Sequence, residues 1–73
     1  MRRYTVLLTP EEGGYVVSVP ALPGCNTEGD TLTEAIQNAH EAIELYISVL
    51  KERGEPIPEE DEPTQAIQIS VAA

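Results

Sequence analysis

A chain of 73 residues has room for one domain with a thin core, because folding at this size hides only about 60% of the surface that the unfolded chain exposes. Hydrophobic residues make up 41% of it, which excludes the disordered class. Thirteen acids against four bases give a formal net charge of -9, which repels a nucleic-acid backbone and argues against direct DNA or RNA binding; a basic protein is the charge-complementary partner, though acidity alone favours a simply hydrated surface.

Residues Arg3 to Thr9 are rich in β-formers, with Tyr4, Val6 and Leu8 on one side and Thr5, Leu7 and Thr9 on the other, and predict a first strand. Pro10-Glu11-Glu12-Gly13-Gly14 supplies turn chemistry, so a hairpin should follow. Tyr15 to Val19 predicts the second strand, which Pro20 stops because proline cannot donate to the ladder. Pro20 and Pro23 keep the connection extended, and a short third strand is predicted over Cys25 to Glu28. Thr31-Leu32-Thr33-Glu34 fits a capping box, so the only long helix should begin at Leu32 with Thr31 and Glu34 as its cap. At about 100° per residue, Leu32, Ala35, Ile36, Ala39, Ile43, Tyr46, Ile47 and Leu50 fall on one apolar arc. Lys51 and Arg53 suit the negative end of the helix dipole, and Gly54 suits a left-handed stop.

Glu55 to Pro63 has three prolines and five acids in nine residues and reads as an extended connector with Ile57 as its anchor. Thr64 to Val71 then alternates, with Ile67, Ile69 and Val71 on one face and Ala66, Gln68 and Ser70 on the other, and predicts a returning strand. The expected architecture is therefore a single α+β domain over residues 1–73, in the order β-β-β-α-β. Hairpins followed by a right-handed crossover give a mixed four-stranded sheet of order 3-2-1-4, with one helix packed on one face. The other face carries Leu7 and Val16, so a homo-oligomer, dimer or tetramer, is expected to cover it.

No catalytic, cofactor or metal site is expected. His40 has no second histidine to share a metal and reads as a boundary residue of the helix. Cys25, the single cysteine, cannot form an internal disulfide and reads as a small hydrophobe rather than a nucleophile. Glu28, Asp30 and Glu34 bracket the helix N-terminus, where the dipole and the capping box already account for acids. Ala42, Leu45 and Val49 widen the apolar arc and serve either lateral packing or an interface. Glu59-Glu60-Asp61-Glu62 is either a hydrated linker or a mimic of phosphates before a basic partner. The candidate partner or oligomer surface thus comprises Cys25, Glu28, Asp30, the Ala42-Leu45-Val49 strip and the Glu59 to Glu62 run. Neither a signal peptide nor a membrane-spanning run is visible, so a cytoplasmic protein without membrane association is expected.

Gly13-Gly14-Tyr15, Pro20-x-Leu22-Pro23-Gly24-Cys25, Gly29-Asp30-Thr31, Glu34-Ala35 and Ala39-x-x-Ala42-Ile43 resemble, in order and spacing, the N-terminal domain of HicB-like antitoxins. The resemblance covers nearly the whole chain. It implies a partial ribonuclease H-like fold, and an antitoxin that occludes a small basic HicA-type toxin, an mRNA-cleaving ribonuclease.

Two departures from that family bear on function. Its members commonly carry a further operator-binding segment, whereas this chain ends just after its last predicted strand, so DNA-binding autoregulation is not expected. Ribonuclease H enzymes hold metal with acids on strands one and four, and neither Arg3 to Thr9 nor Thr64 to Val71 contains an acid, so catalysis is not expected. The alternative reading is a stand-alone oligomeric protein of the same fold, either a vestigial RNA-processing enzyme or a small-ligand binder.

Overall fold

A computed structural model describes residues 2–72. Strands β1 (Leu7–Glu11) and β2 (Gly14–Ser18) pair antiparallel, with Leu7 opposite Ser18 and Glu11 opposite Gly14. Glu12 and Gly13 are left as a two-residue turn. The first strand is shifted from the expected Arg3 to Thr9 for a local reason. The next pair able to exchange hydrogen bonds would set Thr5 against Pro20, which has no amide hydrogen, and the Thr5 amide donates instead to the Glu60 carboxylate at 2.7 Å. On the other edge of β2 the Val19 amide donates to the Cys25 carbonyl at 3.1 Å.

That bond closes a double turn. The Leu22 amide donates to the Val19 carbonyl at 3.0 Å and the Cys25 amide to the Leu22 carbonyl at 2.9 Å. In the second turn Pro23 holds the first central position, and Gly24 the second with φ at 81°, the pattern of a type II turn. Leu22 and Cys25 are thereby driven inward, and both are buried. Strand β3 (Asn26–Gly29) follows one residue later than expected and pairs antiparallel with β2, Tyr15 opposite Gly29 and Ser18 opposite Asn26.

Helix α1 (Leu32–Arg53) begins and ends where the sequence places it. The Thr31 hydroxyl accepts from the Glu34 amide at 3.1 Å, which satisfies one of the free amides of the first turn. The reciprocal arm of the capping box is not formed. At the other end the Gly54 amide donates to Lys51 and the Glu55 amide to Leu50, a Schellman closure with Gly54 in the left-handed region at φ 68°.

The helix lies across β3 and β2. Ala35 and Ala39, both buried, permit the close approach and pack with Val17, flanked by Val6, Leu8 and Tyr15. A second cluster of Val19, Leu22 and Cys25 is covered by Tyr4, Val6, Ala42, Ile43 and Tyr46. The apolar arc of the helix is only partly used: Leu32 is 49% exposed and Ile36 54%.

One expectation is corrected. The described residues contain no fourth strand, so the fold is β-β-β-α with an all-antiparallel sheet of order β1-β2-β3, not a mixed β-β-β-α-β sheet of order 3-2-1-4. The partial ribonuclease H-like arrangement included that strand and falls with it. The segment from Thr64 to Val71 has no regular structure and is exposed without ladder partners, Ile67, Ile69 and Val71 being 75%, 76% and 82% exposed. Strict alternation reports that one face of a segment is apolar, and says nothing about what covers it.

The connector after the helix explains where the tail goes. Tyr4 donates its hydroxyl to the Pro58 carbonyl, and the Glu60 carboxylate accepts from the Thr5 amide at 2.7 Å and the Thr5 hydroxyl at 3.1 Å. Ile57 and Pro58 are half-buried there. The chain is thus pinned beside the residues that precede β1, and the tail beyond Thr64 is exposed throughout, in a molecule 48 Å long and 27 Å by 20 Å across.

Candidate partner-binding site

Antiparallel pairing brings the β1–β2 turn and the end of β3 to the same end of the sheet, where α1 begins. Five carboxylate residues converge there: Glu11 and Glu12 from the hairpin, Glu28 from β3, Asp30 from the connection, and Glu34 from the first helical turn. They line an open hollow of about 450 Å³ with no Lys, Arg or His in its wall. Asn38 closes it from the helix, donating its amide to the Glu28 carbonyl at 2.8 Å. The sequence places Glu28 and Asp30 at a partner surface and Glu34 in the cap, and marks Glu11 and Glu12 only as turn residues. The hairpin register would have found them, since it sets the turn beside the far end of β3.

The other acidic run lies at the opposite end of β1. Glu59, Glu60 and Asp61 line a hollow shared with Arg2, Arg3 and Tyr4, so two of the four bases of the chain stand beside it. Glu60 is engaged by Thr5, and its other oxygen accepts from the Thr64 amide and hydroxyl. The structure therefore does not bring Glu59 to Glu62 together with Glu28 and Asp30.

Partial burial pushes the Glu60 carboxyl up, and the hydrogen bonds from Thr5 and Thr64 outweigh it, so the group sits below the ordinary glutamate value. A folded-state value below the unfolded one means that the contribution is complete above the unfolded value and is lost as pH falls through the folded one. Acidification through that window should release the connector from Thr5. In an NMR titration the Thr5 and Thr64 amides should shift together with a midpoint below 4.5, and Glu60→Gln should remove the transition. A common midpoint at or above that value would contradict the assignment.

The third set of expected residues divides. Cys25 is buried against Val19 and Leu22, and desolvation pushes its thiol up, so it is held protonated and is a poor nucleophile. Ala42 packs on the same cluster, Val49 is half-buried, and Leu45 is 67% exposed. Ala42, Leu45 and Val49 line a shallow depression with Tyr46, whose hydroxyl donates to the Pro23 carbonyl at 2.8 Å. His40 forms an exposed pair with Glu44 at 3.0 Å, one turn apart, of a kind that contributes about 0–1 kcal/mol. Among the described residues no group of three His, Cys, Asp or Glu is placed to hold a metal ion, and no helix is long and apolar enough to cross a membrane.

The residues that carry the family resemblance are now accounted for physically: Pro23-Gly24 make the turn, Leu22 and Cys25 fill the core, Gly29 admits the helix, and Thr31 caps it. The model of the HicB-like antitoxin of bacterial toxin-antitoxin systems matches residues 4–70. The chain belongs to the HicB-like antitoxin family. It is 51% identical over 69 residues to a UPF0150 protein of Synechocystis, covering 93% of this chain and 87% of that one. A UPF0150 protein of Thermoplasma acidophilum is 53% identical over 60 residues, covering 81% and 87%. Antitoxin HicB of Escherichia coli K12 is 42% identical over 57 residues, 77% of this chain and 41% of that protein. The HicB-like chain thus spans most of the UPF0150 proteins but under half of the antitoxin.

Proposed function

We propose that this HicB-like chain is an antitoxin module that binds a small basic mRNA-cleaving toxin of the HicA type and occludes its RNA-binding surface. The observation that carries the reading, beside the family, is the hollow at the hairpin end, where Glu11, Glu12, Glu28, Asp30 and Glu34 meet with no base among them. A toxin that must attract phosphates presents cations, and such a wall of carboxylates steers those cations and competes with RNA for them. The module acts as a binder without catalysis, makes no direct contact with nucleic acid, and works in the cytoplasm as a homo-oligomer.

Co-purification with a small basic HicA-type protein tests the reading. The wild-type chain should retain the toxin and suppress its cleavage of mRNA. The triple variant Glu12→Lys, Glu28→Lys, Asp30→Lys, all at exposed positions, should keep its helix content and slow association at least about tenfold, because steering is lost. Retention unchanged by the triple variant and by salt would remove the hollow from the contact. No retention by the wild type would favour a stand-alone protein of this fold.

A further inference from the structure

Among the described residues two apolar surfaces are left without partners, and they match. Because α1 lies over β3 and β2, the stripe of the helix carrying Ile36, Ile43 and Ile47 overhangs the side of the sheet where β1 ends it. Under the overhang is a groove of about 580 Å³ whose floor is formed by Tyr4, Val6 and Leu8. These three alternate along the chain, so they present one face of the segment that leads into β1. Among the described residues the outer edge of β1 pairs with no strand, since β2 alone neighbours it in the sheet. An open strand edge beside an apolar groove accepts an extended segment that brings apolar side chains at every second position.

The tail is such a segment. Ile67, Ile69 and Val71 alternate on one face and are the most exposed large hydrophobic residues described. Thr64 to Val71 contains no charge, so docking it adds no repulsion to an assembly whose copies each carry -9. The tail does not lie in the groove of its own chain: Glu60 holds Thr5 and Thr64 together, and the residues beyond are all exposed and line no part of the groove.

We infer that the tail from Thr64 to Val71 docks along the open β1 edge of a second copy, with Ile67, Ile69 and Val71 in the groove under Ile36, Ile43 and Ile47. The inference rests on the reading of the chain as a homo-oligomer and gives that reading its contact. Each copy has one tail and one groove, so two copies exchange two tails in a closed, self-complementary contact that leaves neither surface over. The sheet of each chain keeps its own three strands. A basic toxin is a poorer occupant, because the tail offers it no charge.

Light scattering on the full chain, without toxin, is the first measurement. The wild type should have twice the 7.9 kDa chain mass, and the double variant Ile67→Asp, Ile69→Asp should have the mass of one chain with its helical circular dichroism unchanged. Ile69→Cys on one tagged chain and Leu8→Cys on another should cross-link between chains under mild oxidation, as read by mass spectrometry. A wild type of single-chain mass would overturn both the oligomer and the exchange. An oligomer that survives the double variant, or a cross-link formed only within a doubly substituted chain, would overturn the exchange alone.

Discussion

Leu22→Ala should cost about 2–5 kcal/mol, the range for emptying a buried leucine site that relaxes only in part. Leu22 is fully buried and stands at the centre of the cluster formed with Val19 and Cys25 under Tyr4, Ala42, Ile43 and Tyr46. Its backbone is fixed on both sides by turn hydrogen bonds, to Val19 and from Cys25, so the loop cannot sink to refill the space. A chain of this size has roughly 4–11 kcal/mol of stability in all, at 0.05–0.15 kcal/mol per residue. The substitution should therefore bring the protein to the edge of unfolding at physiological temperature. Urea denaturation at one fixed protein concentration checks it, with a large fall in midpoint at similar slope. A loss under about 1 kcal/mol would mean that the cluster is not packed around this residue.

Gly29→Ala should destabilise by about 1–3 kcal/mol through overpacking, with the helix displaced from β3. A Cβ at position 29 would stand 2.5 Å from the Ala35 amide nitrogen and 2.7 Å from its Cα, and backbone atoms cannot rotate aside. The φ of Gly29 is not positive, so the cost is steric; alanine should even help slightly by stiffening the unfolded chain, an effect of about 0.4–1 kcal/mol. The comparison with Gly24→Ala isolates the mechanism. There nothing lies within 4 Å of a new Cβ, but φ is 81°, so the cost is conformational, about 1–2 kcal/mol. In Gly29→Ala the Asn38 contact to the Glu28 carbonyl should also weaken, because it bridges the same two elements. Denaturation midpoints together with hydrogen exchange at the first turns of the helix would test this. A neutral Gly29→Ala would mean that the helix does not rest on β3.

The family pattern and the proposed contact share Asp30 and Glu34, and the other three carboxylates of the contact lie outside the pattern. Pro23, Gly24, Gly29 and Thr31 build turns, an approach and a cap, so a chain that keeps them keeps the scaffold. The hollow draws on Glu11, Glu12 and Glu28, which the scaffold does not require: each is exposed, and the side chains of Glu11, Glu12 and Glu28 enter none of the hydrogen bonds between described residues. The scaffold can stay constant while the partner surface changes its charges.

The bounds of helix α1 were legible in the residues, from the cap at Thr31 to the stop at Gly54, because capping, dipole and left-handed closure are local, although the Glu34 arm of the capping box is not formed. The hairpin was legible for the same reason, though the extent of its first strand was not: the ladder begins only at Leu7, because Pro20 offers Thr5 no amide and Glu60, 55 residues on, takes the Thr5 amide. The tail marks the limit. Its alternation is plain in Ile67, Ile69 and Val71, yet alternation records only the need for an apolar neighbour, and the neighbour is set by where the Glu60 and Pro58 contacts aim the chain. The sequence by itself determined the helix, the hairpin, the acidity and the family, because those reside in single residues and short spacings. Only the tertiary structure decided that the sheet has three strands, that five carboxylates share one hollow, and that a groove and a tail face solvent, because each depends on contacts between residues far apart in the chain.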